Sequence, residues 1–257
     1  MRIWALITLS LAASTYGYPS VSSKTHLDVK KYAARIAELF QDITIELFPQ
    51  NGSTDPNMAD ISKKWEQLFS EFKINSQEDA LNQTRCADIT VVFAKGTNEG
   101  GNVGAVVGPP FLEALREKAG SWSVAMQGVD YAANVTGFAL GGDPDGSLQM
   151  AFDVAAVAVK CPQTKITISG YSQGAQLAHN AAKYLPSVVL KRVSSAVTFG
   201  DPFHPSPLKG LEDRSLVICN SGDNICARGS EVTLPHFAYP GRVYQAADYV
   251  LKKAKIH

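Results

Sequence analysis

Gly170-Tyr171-Ser172-Gln173-Gly174 follows directly on Lys165 to Ser169, a run of strand type, and directly precedes a helical segment that carries Ala175 and Leu177. A chain that passes from strand to helix this tightly presses neighbouring positions against its own backbone, so small residues are needed on both sides of the serine, whose hydroxyl is lifted above the sheet edge. Such a turn needs a sheet to sit on. From Ile89 the short runs Ile89 to Ala94, Ser123 to Gln127, Lys165 to Ser169, Ser194 to Phe199 and Leu216 to Cys219 alternate with helical segments near 108–119, 145–160 and 173–184, and a last helix is expected over Arg242 to Lys255. Continuous apolar strands separated by crossover helices predict an α/β fold, a three-layer α/β/α sandwich around a central five-stranded parallel sheet.

The residues before Ile89 read differently. Met1 and Arg2 precede an apolar stretch from Ile3 to Ala13 and then small and polar residues to Gly17. Residues 1–17 are expected to be a signal peptide, because the apolar run is about half of the roughly 20 residues needed to cross a bilayer. The expected location is therefore extracellular, without a stable membrane anchor. Residues 18–85 are expected to form a helical extension or propeptide. Leu27, Ala34, Ile36, Leu39, Phe40, Ile43 and Leu47 recur at roughly helical spacing over Lys24 to Phe48, and Asp55 and Pro56 resemble the start of a second helix with Ile61, Trp65, Leu68, Phe69 and Phe72 on its apolar face. The stretch to Thr84 is polar and turn-rich and reads as a loose connection. Residues 86–257 are then the main domain.

Export makes the cysteines informative. Four are present, and four allow three pairings. Cys86 and Cys161 each precede a buried strand and would lie at the same sheet edge, which permits one bridge. Cys219 and Cys226 flank a turn-like Ser221-Gly222-Asp223-Asn224 and would close a short loop. Asn51, Asn82 and Asn134 begin Asn-X-Ser/Thr triplets, consistent with a glycoprotein. Lys plus Arg and Asp plus Glu both total 24, so no electrostatic pull toward nucleic acid or an anionic surface is expected, and the substrate should be neutral.

A serine hydroxyl is a poor nucleophile until a base accepts its proton, and that base needs a carboxylate to orient it. Of the five histidines, His26 lies in the extension, His257 at the terminus, and His179 about 10 Å along the elbow helix from Ser172. His204 and His236 remain. The chain order nucleophile, acid, histidine favours His236 with Asp223 as the acid and Asp201 as the runner-up. The N–H of Gln173, the residue after the serine, would supply one oxyanion donor, and Thr97, at the end of the first strand, the second. The glycines at 96, 100, 101 and 104 lack the spacing of a dinucleotide fingerprint, and no metal-ligand spacing occurs, so no cofactor and no metal are expected.

Taken together, Cys86, Gly96-Thr97, Asn102, Gly104, Gly108-Pro109, Gly170 to Gly174, Gly200-Asp201-Pro202, Cys219 through Gly222-Asp223 to Cys226, and Leu234-Pro235-His236 resemble the cutinase family of α/β hydrolases, over about residues 85–255. The resemblance implies a secreted serine esterase without a true lid, a Ser172-His236-Asp223 triad, Thr97 and Gln173 as oxyanion donors, and both disulfides. It further implies that Phe138 and Leu140 on one loop and Val232 and Leu234 on another flank the acyl chain. The implied partner is an ester such as cutin or another lipid-like polyester, cleaved by a monomer. Two alternatives share the scaffold: an acetylxylan esterase, and a catalytically silent secreted binding protein. The extension is longer than the leader usual in the family, which puts the openness of the site in question.

Overall fold

A computed structural model describes residues 26–47 and 58–256. The expected signal peptide, the Asn51 triplet, the start of the second helix at Asp55 and Pro56, and His257 lie outside the described residues. The extension contains helix α1 (Val29–Phe40), strand β1 (Ile45–Glu46) and helix α2 (Met58–Phe72). The main domain follows as β2 (Ile89–Ala94), α3 (Gly108–Ala119), β3 (Val124–Gly128), α4 (Val135–Ala139), α5 (Pro144–Lys160), β4 (Lys165–Tyr171), α6 (Gln173–Tyr184), α7 (Ser187–Leu190), β5 (Val193–Phe199), β6 (Ser215–Ile218), β7 (Glu231–Val232), α8 (Leu234–Phe237) and α9 (Val243–Ala254).

The central sheet has the order β3-β2-β4-β5-β6, and every neighbouring pair is parallel. β2 is buried along its whole length because helices cover both faces. α5 and α6 pack Val154, Leu177 and Ala181 against Ile166 and Ile168 on one face. α3 and α9 pack Leu112, Leu115, Val243 and Val250 against Phe93 and Val197 on the other. The expected three-layer α/β/α sandwich of hydrolase type, with five parallel strands and an N-terminal helical extension, is the observed architecture. Local signals start the helices: Asp143 accepts the Gly146 N–H at 2.7 Å ahead of Pro144 in α5, and α3 opens with a proline pair. Both disulfides form as expected, Cys86–Cys161 joining the segment before β2 to the end of α5 and Cys219–Cys226 closing the turn after β6.

Two expectations about the extension are corrected. The helix expected over Lys24 to Phe48 stops at Phe40, and β1 beyond it pairs antiparallel with β7, Ile45 opposite Val232 and Glu46 opposite Glu231. Ile43 and Ile45 are buried and Thr44 is exposed, the period of a strand and not of a helix. The polar stretch before Thr84 is also tied down. Ser76 O accepts the N–H groups of Asn102 and Val103, Gly128 N–H donates to Glu78 O, and Asp79 bridges to Gln127. α1 buries Val29, Tyr32, Ile36 and Phe40, and each such side chain contributes about 1.5–3 kcal/mol on burial, so the extension is docked by several kcal/mol of apolar contact.

Candidate active site

β4 turns into α6 at Ser172, which is held at φ 56° and ψ −121°. A non-glycine residue there is strained by about 1–3 kcal/mol and persists only where its surroundings over-determine it. Three strands do so. Ser172 N–H donates to Phe199 O of β5 at 2.9 Å. A Cβ on Gly170 would lie 2.1 Å from Gly174 O, and one on Gly174 would lie 2.0 Å from Ala94 O of β2. The glycines on either side of the serine therefore follow from backbone contact, as the sequence pattern requires.

β6 delivers Asp223 into the loop closed by Cys219–Cys226, whose Cα atoms are 6.2 Å apart. Its two carboxylate oxygens lie 3.0 and 2.9 Å from His236 Nδ1. Oδ2 also accepts the Tyr239 hydroxyl at 2.6 Å, and Oδ1 accepts the Ile225 N–H at 3.0 Å. Burial pushes the Asp223 carboxyl up, but the hydrogen bond and charge of His236, with the bonds from Tyr239 and Ile225, outweigh it and hold the group below the usual carboxylate range. Burial and the neighbouring carboxylate push the Tyr239 phenol far up, so it keeps its proton and donates.

His236 sits in the short helix α8. Its ring lies 5.0 Å from that of Tyr171, whose hydroxyl donates to the His236 carbonyl at 2.8 Å. A Cβ on Gly200 would come within 2.7 Å of His236 Cε1, so glycine at the end of β5 is what leaves room for the imidazole. Whenever the ring is neutral, an Nδ1 held against the carboxylate carries the proton and leaves an acceptor at Nε2. That Nε2 atom is buried and has no hydrogen-bond partner among the described residues.

Ser172 and His236 line one pocket of about 640 Å³, open solvent included. The wall is mostly apolar, with Val106, Val232 and Phe237 from the main domain and Ile45, Leu47 and Trp65 from the extension. Of the last three, Leu47 and Trp65 read from the sequence only as packing positions of helices, and Ile45 as none. The alternation of Ile43, Ile45 and Leu47 with Thr44 and Glu46 was the available signal for a strand there. Trp65 stacks with Phe40 and Phe237 at 4.6 and 6.1 Å, and Phe40 with Phe237 at 4.6 Å, so the extension leans on the residue next to His236.

Thr97 also lines this pocket, and its Oγ1 accepts the Gln173 side-chain amide at 2.9 Å. The same Gln173 amide donates to Asn134 O at 2.8 Å, which joins the loop after β2 to α4. Of the four proposed acyl contacts, Val232 is on the pocket wall, Phe138 is buried in the core, Leu234 is partly buried against it, and Leu140 is two-thirds exposed at 67%. Asn82 and Asn134 are exposed. Asp201 is committed elsewhere. It accepts from His179 Nε2 at 2.9 Å, Thr198 Oγ1 at 2.7 Å and Phe203 N–H at 2.8 Å, and its side chain is fully buried. His204, the alternative base, belongs to the turn after Asp201 and does not line the pocket. No cluster of His, Cys, Asp and Glu able to hold a metal occurs among the described residues.

The Cutinase family model matches residues 85–254. A cutinase of Botryotinia fuckeliana is 54% identical over 176 residues, covering 68% of this chain and 87% of that protein. A cutinase of Hypocrea jecorina is 34% identical over 258 residues, covering 98% of both chains, so its likeness extends through the segment before residue 85. The solved structure of Trichoderma reesei cutinase in complex with a C11Y4 phosphonate inhibitor superposes with a TM-score of 0.70 at 37% identity, covering 76% of this chain and 87% of that one.

Proposed function

This chain belongs to the cutinase family and is a serine carboxylic ester hydrolase, and on that premise we propose that Ser172, His236 and Asp223 are its catalytic triad and that it cleaves cutin-type polyesters and short to medium acyl esters. The observation that carries the reading is the buried His236 Nε2, left without a partner in the pocket that Ser172 enters while Nδ1 is held by Asp223. Ser172 Oγ attacks the ester carbonyl carbon as its proton passes to His236 Nε2. The carbonyl oxygen gains the negative charge, stabilised by the N–H groups of Thr97 and Gln173. Collapse breaks the C–O bond, the leaving alkoxide takes the proton from His236, and water then attacks the acyl-enzyme by the same route in reverse. Asp223 orients the imidazole and stabilises the imidazolium. Tyr239 and Ile225 hold Asp223 in turn.

The apolar wall supports the proposed substrate class. A pocket with Ile45, Leu47, Trp65, Val106, Val232 and Phe237 around a neutral reacting centre favours an aliphatic acyl chain, at about 0.8 kcal/mol per buried methylene. The described part of the extension, residues 26–47 and 58–85, acts in this reading as a part of the site and not as a leader to be discarded, a reading supported by the pairing of β1 with the strand just ahead of His236. Export is supported by two disulfides, which persist in oxidising compartments, and no helix among the described residues is long and apolar enough to cross a membrane.

The direct test is a p-nitrophenyl ester series from acetyl to longer acyl chains, run beside cutin and acetylated xylan. The expected result is highest kcat/KM for butyryl or longer chains and covalent labelling by an alkyl phosphonate that disappears in Ser172→Ala. Activity on acetylated xylan alone would transfer the protein to polysaccharide deacetylation, and absence of label at Ser172 would leave a silent binding protein. A second expectation concerns the extension. Trp65→Ala opens the wall it shares with Leu47 and Phe237, so kcat/KM should rise for cutin relative to butyrate by severalfold. An unchanged ratio would remove the extension from substrate selection.

A further inference from the structure

The glycine-rich loop after β2 has a use that its spacing alone does not reveal. Between Gly96 and Val106 the chain doubles back on itself around one side chain, Glu99. Glu99 Oε2 accepts the Gly96 N–H at 2.6 Å, and Oε1 accepts the N–H groups of both Ala105 and Val106 at 2.8 Å. The loop is shaped to admit this carboxylate. Gly104, at φ 65°, would place a Cβ 2.4 Å from Glu99 Oε2, and Gly96 would place one 3.2 Å from it and 2.9 Å from the Tyr171 ring. Gly96 directly precedes Thr97, and Val106 lines the same pocket as Thr97. From the other side, Ala105 O accepts the Tyr32 hydroxyl of α1 at 2.9 Å.

We infer that Glu99 is the positioning residue of the oxyanion loop, its carboxylate clamping Gly96 to Ala105 and Val106 and thereby fixing the backbone from which Thr97 offers its N–H. The inference rests on the triad reading given above. An oxyanion donor contributes only if it is already aimed at the charge before it develops, since a loop that must reorganise loses most of the benefit. Three backbone N–H groups converging on one carboxyl tie both ends of a loop that contains four glycines; burial pushes the Glu99 carboxyl up, and these three bonds, with the charge of Lys95, act against that rise.

Glu99→Gln is the sharpest test. The amide keeps one acceptor, so it can retain Ala105 and Val106 at Oε1, but its NH₂ then faces the Gly96 N–H, donor against donor. Only the bond next to Thr97 is lost. The expected result is a fall in kcat of about 10- to 100-fold, somewhat less than deletion of a donor, with KM changed by less than about threefold, since the oxyanion exists only in the transition state. Inactivation by the phosphonate, whose adduct places an oxygen in the same position, should slow in parallel, and the thermal midpoint should show the variant folded. A kcat within twofold of wild type, or a rise in KM with kcat unchanged, would overturn the inference and reduce Glu99 to a wall residue. Should the variant not fold, amide exchange in the wild type decides: Gly96, Ala105 and Val106 are expected to be protected, and fast exchange at Gly96 overturns the clamp. Wild-type turnover of the butyryl ester is measured first. A wild type without turnover or label sinks the triad reading and this inference together, whereas Glu99→Gln with normal kcat sinks this one alone.

Discussion

Replacing His236 by alanine is expected to lower kcat on a p-nitrophenyl ester by roughly four to six orders of magnitude, the loss seen when a triad member is removed from a serine hydrolase. The size follows from the absence of any substitute. Nε2 is the buried acceptor that lacks a partner in the pocket, and Asp201, the other carboxylate considered, is bound to His179 in a separate buried pair. The variant should still fold. Asp223 keeps the Tyr239 hydroxyl and the Ile225 N–H, and the cavity left by the imidazole borders Tyr171 and Tyr239, which stay packed with each other at 5.9 Å between ring centroids. Loss of the His236 contact lets burial raise the Asp223 carboxyl, so a lower thermal midpoint at neutral pH accompanies the loss of turnover. Circular dichroism with a burst-free progress curve checks both. Near-normal turnover would point to His204 as the base.

Asp223→Asn is expected to lower kcat by about 10⁴-fold with the fold preserved, because an amide at this position selects the wrong imidazole tautomer. The surroundings dictate which way the amide sits. Oδ1 is needed to accept the Ile225 N–H at 3.0 Å, so the NH₂ takes the place of Oδ2, beside His236 Nδ1 and the Tyr239 oxygen. Nδ1 then becomes an acceptor and the proton moves to Nε2, where it blocks removal of the Ser172 proton. A second readout concerns acid stability. A carboxyl held below its unfolded value contributes stability above that value and loses it as pH falls through the folded one, so the contribution of Asp223 disappears below about pH 4. The variant should therefore lose less of its thermal midpoint than wild type between pH 4 and lower values. Turnover within tenfold of wild type would mean that Asp223 does not orient His236.

The parts of this protein legible in its sequence were those with a local cause. Gly170 and Gly174 are small because strand and helix backbones touch there, and Ile89 to Ala94 is continuously apolar because both of its faces are covered. The observed pairing of the cysteines is the one that sheet edges and loop length favoured and the family resemblance implied. What escaped was mostly set by partners distant in the chain. Trp65 and Leu47 read as helix-face residues, since nothing local says that β1 will find β7 some 186 residues later. Tyr239 gave no sign of reaching Asp223 across 16 residues. Glu99 stands in the sequence as a polar residue beside glycines, and only the closed loop turns it toward three N–H groups.

Sequence alone therefore determined the sandwich and the tight strand-to-helix turn that carries Ser172, both consequences of sterics and periodicity within a few residues. Tertiary structure decided which histidine is left with an unpaired buried nitrogen, which carboxylate faces it, and what walls the pocket. Those outcomes depend on approaches between segments far apart along the chain, and residue type limits such approaches without specifying them.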